Sequence, residues 1–179
     1  MKQLITRLKT WLKNQDEFLI TQFNEEATLE DCLKLENTLN VKLPKEFIEL
    51  YCIHNGQINQ EEGIFKGYSL LPIKRIISNW KIQKRIMDDP YMKSMLGESM
   101  TEWYNLKWIP FASFGNGDLI CIDLDDTENY GRIIEFLHED SHRPILSNSI
   151  TNWFKEFVNE LEENKYYYSS SFSAVEKNI

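Results

Sequence analysis

The sequence predicts an α+β domain: a mostly antiparallel twisted meander packed with N-terminal and C-terminal helices. Three observations carry this. Apolar residues recur at helical spacing through the first half. Short alternating segments with Gly-containing turns occupy 108–137. A strongly periodic helix follows at 150–161. Helices, then strands, then a helix in chain order is the α+β pattern.

At 179 residues, with 42% hydrophobic and 27% charged side chains, the chain suits one domain with appendages. The expected organisation is a lead-in over 1–27, a domain over 28–164 and a Tyr/Ser-rich tail over 165–179. Leu4, Ile5, Leu8, Trp11 and Leu12 form the apolar stripe of a short basic helix with Lys2, Arg7, Lys9 and Lys13. Such a helix can lie on an anionic membrane. At this length it is expected to pack on the domain instead.

Thr28 and Asp31 make a capping box for a helix through Cys32, Leu33 and Leu35 to about Leu39. Pro44 suits the first position of the next helix, with Phe47, Leu50, Tyr51 and His54 on one face. Gly56 would end it by adopting the left-handed cap conformation. Residues 63–71 read as one or two strands. A helix runs from Pro72 to Met87, with Ile73, Ile76, Ile77, Trp80, Lys84 and Met87 near one stripe. Asp88-Asp89-Pro90 breaks it, and 91–106 reads as a mobile loop or short helix.

Trp108 to Phe114 is a strand whose Pro110 argues for an edge or a bulge. A turn at 115–118 leads to a strand over Leu119–Leu124. A polar connection then leads to a returning strand over Gly131–Leu137. Ile150, Trp153, Phe154, Phe157, Val158 and Leu161 define the last helix, with Ser147 or Ser149 as its cap. The Tyr/Ser-rich tail beyond Asn164 is expected to fray or pack loosely.

Charge and cysteine content bound the function. A net charge of −8 disfavours nonspecific nucleic-acid binding, which needs cations to displace counterions from phosphates. It favours a basic partner or plain solubility. Cys32, Cys52 and Cys121 are too few for a disulfide framework and read as small buried hydrophobes. No secretory signal pattern opens the sequence, so the expected compartment is the cytoplasm.

His138-Glu139-Asp140-Ser141-His142 matches H-E-x-x-H, the zinc-protease pattern in which two histidines one helical turn apart share a metal. The pattern assures no third ligand, although Glu156 or Glu160 could be proposed. The stretch follows a strand pattern and runs into Pro144, so a polar loop is expected and no metal is assigned. Asp123-Leu124-Asp125-Asp126 contains a D-x-D, but it reads as an acidic hairpin turn. His54, on an apolar helix face, reads as a core histidine. No nucleophile, base and orienting group occur in a recognisable pattern, so no catalytic residue and no cofactor are expected.

Three motifs together resemble a known family. The first is Leu43-Pro44-Lys45-Glu46-Phe47-Ile48-Glu49-Leu50-Tyr51, closing on Asn55-Gly56. The second starts at Trp108-Ile109-Pro110-Phe111. It continues through Gly117-Asp118, the run to Asp123, and Gly131. The third is the closing helix with Trp153 and Phe154. The chain is identified on these as a member of the SUKH superfamily, which includes the Smi/Knr cell-wall-synthesis regulators.

The resemblance implies one SUKH domain that binds proteins and catalyses nothing. In bacteria such proteins are typically immunity proteins that neutralise a cognate toxin, often a nuclease. The alternative it implies is an intracellular regulator or scaffold of the Smi/Knr type. The Lys-, Asn- and Ile-rich composition fits an AT-rich bacterial genome. The expected partner is thus a protein, with no nucleic acid and no membrane, and the chain itself a monomer or weak homo-oligomer. Candidate contacts are Glu61, Glu62, Asp123, Asp125, Asp126 and Glu128.

Overall fold

The computed structural model describes residues 1–97 and 103–178. Helix α1 (Lys2–Gln15) buries Ile5, Leu8, Trp11 and Leu12, so its apolar stripe is used against the domain. A 3-10 turn (Glu17–Gln22) leads to α2 (Leu29–Leu39). Thr28 and Asp31 form the expected reciprocal capping box, and Asn40 ends the helix in the left-handed conformation.

Helix α3 (Lys45–Tyr51) is shorter than expected. Pro44 is its N-cap and Cys52 its C-cap. Asn55 and Gly56 do not end it. Instead the Asn55 side-chain carbonyl accepts the Ile73 N–H at 2.9 Å, at the start of α4 (Ile73–Asp88). Gly56 has φ +69°, and a Cβ there would lie 2.4 Å from the Pro72 nitrogen. Tyr51 donates its hydroxyl to the Leu71 carbonyl at 2.8 Å. The motif therefore closes a clamp around Leu71-Pro72, a long-range role that its local spacing conceals.

The far half of α4 turns Gln83 inward, while Lys84 pairs with Asp88 at 2.9 Å. Lys84 thus leaves the expected stripe, because a carboxylate one turn on satisfies it at the surface. Asp89 caps a short helix α5 (Pro90–Leu96) through the N–H groups of Tyr91 and Met92. Part of the 91–106 segment, at 98–102, lies outside the described residues.

Five antiparallel strands follow the order β1-β2-β3-β4-β5: Ser69–Leu70, Trp108–Ser113, Leu119–Asp123, Ile133–Phe136 and Ile145–Ser147. Residues 63–71 thus give one two-residue strand. Pro110 lies in the second strand of the order, where the register shifts between Pro110 and Ala112. Pro110 thus sits at a bulge, and β1, paired only with Ala112 and Ser113, does not extend alongside it. β5 continues past the expected meander.

Ile109, Phe111, Ile120, Ile122 and Ile133 belong to the main core, which α6 (Ile150–Glu162) closes with Trp153, Phe154, Phe157, Val158 and Leu161. Ser149 is the cap, accepting from the Asn152 N–H. Leu119, Cys121, Ile134 and Phe136 make a second cluster with Tyr104. Arg7 reaches from α1 to Glu162, donating to both carboxylate oxygens at 2.8 and 2.5 Å, and ties the two helices together.

The tail is ordered, against expectation. Strands β6 (Tyr166–Ser169) and β7 (Ala174–Lys177) form an antiparallel hairpin. Val175, 1% exposed, anchors it in the core. The Gly63 N–H donates to the Ser173 carbonyl and the Val175 N–H to the Gly63 carbonyl, at 2.8 and 2.9 Å. Burial of Val175, packing of Tyr166 and Tyr168 against the core and these backbone hydrogen bonds outweigh the polar, Ser-rich composition. Among the described residues no helix is long and apolar enough to cross a membrane.

Candidate functional site

The β3–β4 turn holds four of the six acidic candidates, and it is rigid at its base. Asp123 is 2% exposed. Its carboxylate accepts from Arg132 Nε at 3.0 Å and from the Asp125 N–H at 3.1 Å. Its N–H donates to the Arg132 carbonyl, and its carbonyl accepts from Gly131. Asp123 is therefore no surface contact, contrary to expectation, because the ion pair and the turn's backbone consume it. Asp125 is half-buried and accepts from the Asn105 amide at 3.1 Å. Asp126 and Glu128 are exposed.

Tyr130, Lys42 and Lys107 complete this neighbourhood and were missed in the sequence. The Tyr130 hydroxyl donates to the Lys42 carbonyl at 3.0 Å, and Lys107 Nζ to the Asn40 carbonyl at 2.6 Å. With Asp125 and Asp126 they line a shallow cleft of about 350 Å³. These contacts, spanning 88 and 67 residues, hold Tyr130 of the turn and Lys107, just ahead of β2, against the segment that follows α2, and no local spacing signals them.

Glu61 and Glu62 do not join this turn. Glu62 is 6% exposed and accepts the Tyr168 hydroxyl at 3.0 Å, so it braces the C-terminal hairpin and offers no free carboxylate face. Glu61 is exposed and lines a second cleft with Phe114, next to the β2–β3 turn. That turn is at the opposite end of β3 from Asp123. The six acids make two separated groups rather than one acidic face.

The H-E-x-x-H stretch is a loop after β4, so His138 and His142 do not share a helical face. His138 Nδ1 lies 2.8 Å from Asp118 Oδ1, which also accepts the His138 N–H at 2.9 Å. The hydrogen bond to Asp118 raises the His138 pKa against a smaller opposing effect of burial. Burial pushes Asp118 up, but hydrogen bonds from His138 and Asn116 outweigh it and hold the carboxyl low. Among the described residues no three His, Cys, Asp or Glu side chains converge as a metal site requires.

His54 sits half-buried against Phe23, its Nδ1 2.9 Å from the Asn24 carbonyl. Burial lowers its pKa. Cys32 and Cys121 are buried, and Cys52 partly so. Burial first, and the neighbouring Cys52 second, push the Cys32 thiol up to about 12, which suppresses the nucleophilic thiolate.

Two comparisons bear on this arrangement. A model of the SMI1 / KNR4 family (SUKH-1) matches residues 26–160. The chain is also 24% identical, over 181 aligned positions, to the cell wall biosynthesis/cell cycle regulator smi1 of Schizosaccharomyces pombe. The alignment takes in 89% of this chain and 36% of that protein, so the chain spans about a third of the relative's length.

Proposed function

The chain belongs to the SMI1 / KNR4 family (SUKH-1), and on that premise we propose that it is a protein-binding module with no catalysis of its own. Its specific role is immunity: it covers the basic substrate groove of a cognate toxin. The observation that carries this reading is the braced acidic turn. Asp126 and Glu128 project from a turn whose base is locked by Asp123 and Arg132. A contact surface held in place before binding loses little entropy on association. Its charge, on a chain of net −8, would steer a basic partner into place.

The test is inhibition of the toxin encoded beside the gene. Activity of that toxin should fall to background at a one-to-one ratio. Full toxin activity in the presence of excess chain would reject the reading. The S. pombe relative's name favours a second reading, a regulator of cell-wall synthesis acting through a resident partner. A gene neighbourhood without a toxin would favour that one.

A further inference from the structure

The C-terminal hairpin leaves one strand edge open beside a cleft. Val175 donates its N–H outward to Gly63, and Asn178 donates inward to Lys165. Successive residues alternate direction along a strand. The N–H and carbonyl of Lys177, an exposed residue, therefore face away from β6, as does the carbonyl of the buried Val175. Their next partner on that side would be residue 65, but Phe65 turns off and donates to the Tyr68 carbonyl at 2.8 Å. Where that rung is missing, a cleft of about 540 Å³ opens, lined by β7, Gly63, Gly67, Phe114 and Phe172. Phe114 is 52% and Phe172 71% exposed.

The charges around the cleft select the occupant. Lys66, on its wall, is already neutralised by Glu160 at 2.6 Å. Among the described residues Glu61 and Glu176 on the rim form no ion pair. Lys66 also walls an adjoining cavity of about 170 Å³ that holds Glu135 and Glu156, likewise outside any ion pair. Lys177 is the opposing cation. The path is net anionic, is bordered by aromatics and, among the described residues, ends in backbone groups with no backbone partner.

We propose that this cleft takes an extended basic segment of a protein partner, which pairs its backbone with the β7 edge and packs an apolar side chain between Phe114 and Phe172. The proposal rests on the protein-binding reading and places a second contact surface away from the acidic β3–β4 turn. Strand addition of this kind draws affinity from backbone hydrogen bonds and specificity from alternate side chains. The hairpin lies outside the 26–160 span matched by the family, so half of the cleft is an addition to the shared domain.

The test uses the full chain and a synthetic nine-residue peptide of alternating arginine and valine around a central phenylalanine. Its counterpart carries glutamate for arginine. The arginine peptide should bind, slow hydrogen exchange of the Lys177 amide at least ~10-fold at saturation, and outcompete the glutamate peptide. Lys177→Pro removes the outward N–H at an edge that tolerates proline. It should weaken binding at least ~10-fold while leaving the thermal midpoint in place. If that variant unfolds, the arginine peptide N-methylated on its β7-facing positions must lose binding to the native chain instead.

Unchanged Lys177 exchange, equal binding of both peptides, or no binding up to millimolar concentration overturns the proposal. So does binding that survives the removal of these hydrogen bonds. Self-association of the free chain that Lys177→Pro abolishes would assign the edge to a second copy and overturn it too. Peptide contacts confined to 123–130 would sink this cleft while leaving the protein-binding reading intact.

Discussion

Asp123 and Arg132 form an ion pair across the base of the β3–β4 turn, with Arg132 Nε 3.0 Å from a carboxylate that is almost wholly buried. Two residues nine apart thus fix where Asp126 and Glu128 project. Removing one partner leaves the other charge uncompensated, which costs more than the pair contributes. Asp123→Asn should destabilise the fold by on the order of 3 kcal/mol, measured by chemical denaturation. Asp126→Asn, at an exposed position, should change stability by less than ~0.5 kcal/mol. Equal effects of the two would show that the turn is not braced in this way.

The clamp at Leu71-Pro72 gives a second prediction. Gly56→Ala would force a Cβ to within 2.4 Å of the Pro72 nitrogen at a left-handed φ. It should cost ~2 kcal/mol or more. Asn55→Ala strands the Ile73 N–H and should cost about 1–2 kcal/mol. The denaturation midpoints of the two variants check both values.

The ordered tail predicts that Val175→Ala loses about 2 kcal/mol, from two buried methyl groups and the cavity they leave. Limited proteolysis provides the check. The variant should be cut within 165–178 before the rest of the domain, whereas a loosely packed tail would be cut equally fast in both proteins.

Stability should carry a pH signature from Asp118 and His138. The folded state raises the His138 pKa. The His138 contribution is therefore fully present below about pH 6.5, the unfolded histidine value, and fades as pH rises through the higher folded value. Asp118 has a lowered pKa, so its contribution is present above the unfolded aspartate value and is lost as pH falls through the folded one. His138→Ala should flatten the thermal midpoint between about pH 6 and 8. A chelator should leave the native midpoint unchanged, because the H-E-x-x-H letters lie in a loop that does not align the two histidines.

The parts of the fold legible in the sequence are those set by local period and capping. The stripe from Ile150 to Leu161 repeats at 3.6 residues, and Thr28 with Asp31 caps a helix through contacts three residues apart. Pro110 announced its bulge through the N–H it lacks. What stayed hidden depends on distant partners. Glu62 looks like a loop acid until Tyr168, 106 residues on, covers it. Asn55-Gly56 looks like a helix stop until Pro72 is packed against it. The hairpin stayed hidden because its anchors are long-range: Val175 is buried in the core, and Tyr166 and Tyr168 pack against residues far away in the chain.

The central claim, that the chain acts by presenting a placed anionic surface to another protein, is tested most directly by stopped-flow association with the toxin proposed as its partner. The account predicts rapid one-to-one binding that slows with added salt. Neutralising Asp125, Asp126 and Glu128 together should slow it ~10-fold with little change in fold. Absence of a complex at micromolar concentration and low salt would contradict it.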